Sequence, residues 1–138
     1  MILIRHGQSE FNVVFSVTRQ DPGIRDPRLT DVGRRQAADA ARYLLKRNIN
    51  HLVTSPYMRA IQTADIIARA LKLDIEVQQL VGEHAKFACD VGTPCSELKY
   101  HWPKLQLDHL EEAWWPELGE GPGELDARSK RFRETIRV

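Results

Sequence analysis

The sequence predicts an α/β domain with a largely parallel sheet. Three observations point there. Short apolar runs bounded by turn residues recur at 2–4, 51–54 and 74–77. Segments 30–45 and 56–71 carry apolar residues at helical spacing. The resulting order, strand–helix–strand–helix–strand, is that of crossover units, and strands joined through helices run parallel.

Residues 2 to 4 read as a short buried strand that ends abruptly at Arg5-His6-Gly7. Residues 19 to 28 read as a loop, because Asp21-Pro22-Gly23 and Asp26-Pro27 punctuate them. Thr30 is the expected N-cap of the next helix, and Asp31 complements the helix dipole in its first turn. Ala37, Ala40, Ala41, Leu44 and Leu45 form its apolar face; Arg35, Asp39, Arg42 and Lys46 form the charged one. The chain turns at Asn48 to Asn50, and His51 to Thr54 forms the second strand.

Ser55-Pro56 has the signature of an N-cap followed by proline at the first helical position. That helix runs to about Leu71, with Ala60, Ile61, Ala64, Ile67, Ala68 and Leu71 on one face. Residues 74 to 77 give the third strand. Beyond Val81 the pattern thins. Cys95 to about Trp102 reads as a short helix stopped by Pro103. Residues 105 to 123 read as a long surface excursion, and no Lys or Arg occurs from Asp108 to Asp126. A solvated acidic loop is the favoured reading, with repulsion of highly anionic substrates as the alternative. Glu124 to Val138 is a helix by pattern, with Leu125, Phe132 and Ile136 on one stripe and no stop signal at its end.

Composition narrows the function classes. The chain has 138 residues, 42% of them hydrophobic, which fits one domain over 1–138 with a modest core. A net charge of +1 leaves no basic excess for nucleic acid and no acidic tail. The N-terminal apolar stretch is too short for a signal peptide or a membrane span, so no membrane partner is expected. Cys89 and Cys95 resemble neither a disulfide framework nor a zinc site. The default is therefore a reduced, cytoplasmic protein. None of the usual metal-ligand spacings is present.

Ligands of parallel α/β sheets bind outside the carboxyl ends of the strands. One such end carries Arg5-His6-Gly7; the other carries Ser55-Pro56, with Arg59 one turn into the helix. A cation near the positive end of a helix dipole is mildly unfavourable, and a bound anion would relieve it. Guanidinium forks and helix N-termini around one histidine suit a phosphoryl group. Neutral imidazole is a nucleophile near neutral pH, and Gly7 would let the backbone approach the phosphoryl group. A lone histidine after a strand is more often a packing residue, and a lone arginine more often a solvated charge. The coincidence of the two at two strand ends is what favours chemistry, though spacing alone does not show that they meet.

"RHGQSEFN" at 5–12 resembles the signature of the histidine phosphatase superfamily, the phosphoglycerate mutase-like proteins. "LTDVGRRQA" at 29–37 and "TSPYMRAIQTA" at 54–64 resemble two further segments of that family, in the family's order. The resemblance covers residues 1 to 83 well and the rest weakly. It implies a three-layer α/β/α sandwich with a mostly parallel sheet, and cofactor-independent hydrolysis of a phosphomonoester, on a small molecule or a phosphoprotein. His6 would accept the phosphoryl group, and Arg5 and Arg59 would bind its oxygens. Gln8, Ser9 and Asn12 would line the substrate approach. Glu83, in Val81-Gly82-Glu83, would protonate the leaving oxygen; an exposed loop carboxylate is the competing reading. No metal and no cofactor are implied.

The family also carries a second histidine in a turn after a later strand, and no such turn is found here. His51 begins a strand, His84 matches no family position, His101 precedes Trp-Pro, and His109 lies in the excursion. The expectation is a domain incomplete at its C-terminus, with a naturally short chain as the alternative. Residues 2 to 4 would then lie at an open sheet edge that recruits a second copy of the chain. Two other functions stay open: an inactive anion-binding or protein-binding module, and a mutase-type phosphotransferase.

Overall fold

The computed structural model describes residues 1–136; the last two residues of the expected C-terminal helix lie outside them. Two strands form the sheet. β1 (Leu52–Thr54) and β2 (Ile75–Val77) pair in parallel, with Leu52 opposite Ile75 and Thr54 opposite Val77. α3 (Met58–Leu71) makes the crossover between them. α2 (Asp31–Leu44) packs along α3. The α/β class and the parallel pairing are as the sequence predicts.

The strand expected at 2–4 does not form. Residues 1 to 6 make no backbone-to-backbone hydrogen bond among the described residues, and Met1 and Leu3 are 86% and 75% exposed. β1 is paired on one side only, to β2, and residues 2 to 4 leave its free edge unpaired. Apolar sequence marks a segment that wants a partner strand and does not supply one. These residues instead wall a cavity of about 1010 Å³ with Val53, Ile67 and Phe132.

Local chemistry explains the helix starts. Thr30 caps α2, its hydroxyl accepting from the Gly33 N–H at 3.1 Å. Gly33, Ala37, Ala41 and Leu44 are buried on this helix, but Leu45 is 57% exposed, because at the C-cap it lies off the stripe. α3 begins two residues later than Pro56 suggests. Tyr57 is its N-cap and gives no side-chain bond. The first amide, Met58 N–H, donates instead to Asp26 Oδ1 at 2.8 Å, so a residue from the distant 19–28 loop performs the cap. Thr93 N–H and its hydroxyl fill the other oxygen of Asp26, at 3.0 and 2.6 Å. Burial pushes the Asp26 carboxyl up from its ordinary range.

The sequence reading assigns no helix to 10–18, yet α1 spans Glu10–Thr18. The Ser9 hydroxyl accepts from the Asn12 amide, and Asn12 Oδ1 accepts from the Ser9 N–H at 2.9 Å. This reciprocal cap satisfies two donors at once.

Two apolar clusters flank α3. On one side Met58 and Ile61 pack with Val77, Leu98 and Trp114; on the other Ile67 meets Ala41 and Leu44 of α2. α4 (Cys95–His101) ends at Trp102 before Pro103, as expected. The 105–123 segment is not a solvated excursion. Leu107, Leu110 and Trp114 are buried in the first cluster, so its acidic residues ride on an anchored loop. α5 (Pro122–Thr135) follows it and buries only Arg128, with Leu125, Phe132 and Ile136 half-buried. No helix among the described residues is long and apolar enough to cross a membrane.

Exposed apolar residues beside unpaired strand backbone favour edge-to-edge pairing. Sedimentation at rising concentration should therefore show self-association. Leu3→Lys should shift it toward the monomer, and a monomer at all concentrations would contradict the expectation.

Candidate active site

His6 is held from below by glycines. A Cβ on Gly7 would strike the Gly33 carbonyl, and a Cβ on Gly33 would strike the Gln8 backbone. α2 thus presses directly on the chain beside His6, and neither position admits a side chain. The sequence reading gives Gly7 to the phosphoryl group; in the structure its close neighbour is α2. The Gly7 N–H donates to Thr63 Oγ1 at 3.2 Å, and that hydroxyl donates to the Arg59 carbonyl at 2.8 Å. His6 is therefore tied to α2 and α3 together.

The ring is oriented by its own backbone. Nδ1 lies 2.6 Å from the Gly7 carbonyl, which requires Nδ1–H as donor. Nε2 then faces Glu83 Oε1 at 2.8 Å. A lone pair facing a carboxylate would repel it, so this contact needs one proton between the two groups. The other carboxylate oxygen of Glu83 is 3.6 Å from Arg59. Nucleophile candidate, acid candidate and cation meet at one carboxylate.

Arg59 is 2% exposed. Its Nη1 donates to the Cys89 carbonyl at 2.8 Å and its Nη2 to Asp90 Oδ1 at 3.1 Å, and its guanidinium lies over the Tyr57 ring. Asp90 Oδ2 accepts from the amides of Lys86 and Phe87 at 2.9 and 3.1 Å. The dipole conflict expected for Arg59 is thus already answered from inside the protein. Asp90 went unnoticed in the sequence, where it stands after Cys89 with no motif around it.

Glu83 is half exposed, and its carboxyl is held down to about 2, first by the hydrogen bond from His6 and then by the Arg59 charge, against a burial effect of opposite sign. Burial pushes the neighbouring Cys89 thiol up to about 12, which makes it unreactive. Both cysteines are free.

The other expected site residues divide. Arg5 is exposed, forms no ion pair among the described residues, and lines a cavity of about 590 Å³ with His6, Gln8 and Asn12. Gln8 Oε1 accepts from the Thr30 hydroxyl at 2.8 Å, so its side chain supports the α2 cap. Ser9 is buried and serves as the α1 cap. Asn12 spends its carbonyl oxygen on Ser9. Of the five histidines, only His6 stands at this site; His84 turns to the Glu120 carbonyl, and His109 Nε2 lies 2.7 Å from the Val77 carbonyl. His51 pairs with Glu76 and His101 with Glu97.

A family model described as the histidine phosphatase superfamily (branch 1) matches residues 1–138. The chain belongs to that superfamily. It is 36% identical over 140 residues to the bifunctional protein Rv2228c of Mycobacterium tuberculosis, covering all of this chain and 37% of that protein. It is 33% identical over 135 residues to a protein named probable phosphoglycerate mutase GpmB of Yersinia enterocolitica, covering 94% of this chain and 59% of that one. A solved structure of mycobacterial glucosyl-3-phosphoglycerate phosphatase Rv2419c in complex with VO3 superimposes with a TM-score of 0.64 at 27% identity, covering 95% of this chain and 61% of that one. The chain thus spans well under two thirds of the length of each of these superfamily relatives.

The depressed Glu83 carboxyl makes stability depend on pH. Unfolded, the group titrates near 4.5; folded, it stays ionised down to about 2. Between those values the unfolded chain binds more protons, so stability falls as pH falls. Melting temperatures taken from about pH 5 to about pH 2.5 should show this slope, and Glu83→Gln should remove part of it. A second expectation concerns the glycines. Gly33→Ala should cost about 3 kcal/mol or more, because the clash is with backbone that cannot repack; urea unfolding measures it.

Proposed function

We propose that the chain carries the reaction centre of a phosphomonoester hydrolase, with His6 as phosphoryl acceptor. The observation that carries this reading is the meeting of His6 Nε2 and Arg59 on the two oxygens of Glu83, at 2.8 and 3.6 Å. A phosphoryl dianion would compete with that carboxylate for the same two partners. Arg59, together with the exposed Arg5, supplies charge for its oxygens.

Entry of the dianion separates Glu83 from the cation that depresses it and places like charge beside it. Both effects raise its pKa. The proton of the His6–Glu83 contact then resides on Glu83, and Nε2 is free to attack. The N–P bond forms as the P–O ester bond breaks, and the leaving oxygen takes the Glu83 proton. Water attacks phosphorus in the second step and gives its proton to the Glu83 carboxylate. The P–N bond breaks, inorganic phosphate departs and His6 is restored.

Membership of the superfamily supports the reaction class. The relative described as a glucosyl-3-phosphoglycerate phosphatase supports hydrolysis, and those named phosphoglycerate mutase keep phosphoryl transfer as a variant outcome. Two observations favour a different reading, an anion-binding module without turnover. Arg59 is already neutralised by the buried Asp90, and no second histidine reaches His6 among the described residues.

A short exposure to a labelled phosphomonoester should leave an acid-labile, alkali-stable phosphoryl group on the chain. Label that persists in His6→Ala rejects His6 as acceptor. Phosphate binding without labelling or turnover favours the binding module. Glu83→Gln should slow alkyl phosphate hydrolysis by about 10²-fold or more, and affect p-nitrophenyl phosphate far less, since that leaving group needs little proton assistance.

A further inference from the structure

Arg128, on α5, is 8% exposed and has no place in the reaction as described. Its guanidinium has five N–H groups, and all five are used. Nε and Nη2 form a fork with the two oxygens of Glu120, both at 2.9 Å. Nη1 donates to the carbonyls of Leu80, at 3.0 Å, and Gly82; Nη2 donates to the carbonyl of Glu83 itself, at 3.0 Å. No donor remains for a substrate. Three of the five bonds end on the short stretch of backbone that delivers Glu83.

The other flank of that stretch is fixed by the same group of residues. The Glu120 carboxylate accepts from the Ala85 N–H at 3.3 Å, and the Gly119 N–H donates to the Ala85 carbonyl at 3.0 Å. The loop is thus pinned at 80, 82, 83 and 85, while the Glu83 side chain stays half exposed and free to reach His6. Gly82 lies against the Tyr57 ring, the same ring that underlies Arg59. A buried arginine usually closes one ion pair. Here three of its five bonds go to main-chain carbonyls, which fixes the backbone they belong to.

We infer that Arg128 is a positioning residue that, with Glu120, holds the Glu83 backbone so that its carboxyl reaches both His6 and the leaving oxygen. The inference rests on the reading of Glu83 as proton donor. Lysine has three donors and no fork, so Arg128→Lys keeps the charge and loses the grip. A loop displaced by about 1 Å leaves an acid out of line with its target.

The test is the dependence on leaving group. In Arg128→Lys, hydrolysis of an alkyl phosphate should fall on the order of 10-fold to 100-fold, and that of p-nitrophenyl phosphate less than about 3-fold. Equal loss on both substrates, or loss on neither, overturns the inference and leaves Arg128 as support for the fold alone. Glu120→Gln retains Arg128 and loosens its fork; it should show the same split at smaller size, and it decides the matter if Arg128→Lys does not fold. If the wild-type chain hydrolyses neither substrate, the phosphohydrolase reading fails by itself. The brace is then judged by carbon-13 titration of the Glu83 carboxyl in the same variants. A midpoint rising from about 2 toward 4.5 supports it, and an unchanged midpoint refutes it.

Discussion

A cation buried at 2% exposure organises this molecule. Removing a guanidinium from water costs several kcal/mol unless charge and hydrogen bonds compensate it. Arg59 is compensated from three directions: by the Asp90 carboxylate and the Cys89 carbonyl, by the face of Tyr57, and by Glu83 across the site. Each partner brings a segment with it. Asp90 folds the 86–90 turn around its second oxygen, Tyr57 fixes the start of α3, and Glu83 brings the loop after β2. The Arg59 charge thus draws these distant loops together.

His6 depends on a different constraint, that of contact between main chains. Gly7 and Gly33 let two backbones meet where any Cβ would force them apart, so the nucleophile candidate rests on α2 with no flexible side chain between. Upstream of that contact residues 1 to 6 make no backbone-to-backbone hydrogen bond among the described residues, and residues 1 to 4 are exposed. Rigid support therefore begins at His6 and continues into the Ser9 cap of α1. Orientation of the ring comes from its own neighbour, through Nδ1 and the Gly7 carbonyl.

Electrostatically, the site is closed on itself. Glu83 faces both His6 and Arg59, and the hydrogen bond from His6 with the Arg59 charge holds its carboxyl low. In the proposed reaction a phosphoryl group would take the place of that carboxylate, and the resulting rise in its pKa would keep Glu83 protonated for donation to the leaving oxygen.

Every helix but α1 was legible from local pattern, because a cap or an apolar stripe depends on residues three or four apart. Thr30 capping α2, the end of α3 at Leu71 and the stop of α4 before Pro103 follow from that range alone, whereas the start of α3 is set by Asp26. The parallel pairing of 52–54 with 75–77 followed from the helix between them. The residue types of the site, Arg5, His6, Arg59 and Glu83, were readable as motifs. Only the tertiary structure decided what each one meets. The Asp26 cap of α3 spans 32 residues, Asp90 reaches Arg59 across 31, and Arg128 grips the Glu83 loop across 45 or more. Packing sets such contacts, and neither spacing nor propensity encodes them. The same holds for residues 2 to 4: their sequence specifies a strand, but whether it pairs is decided by the fold, and here the free edge of β1 stays unpaired.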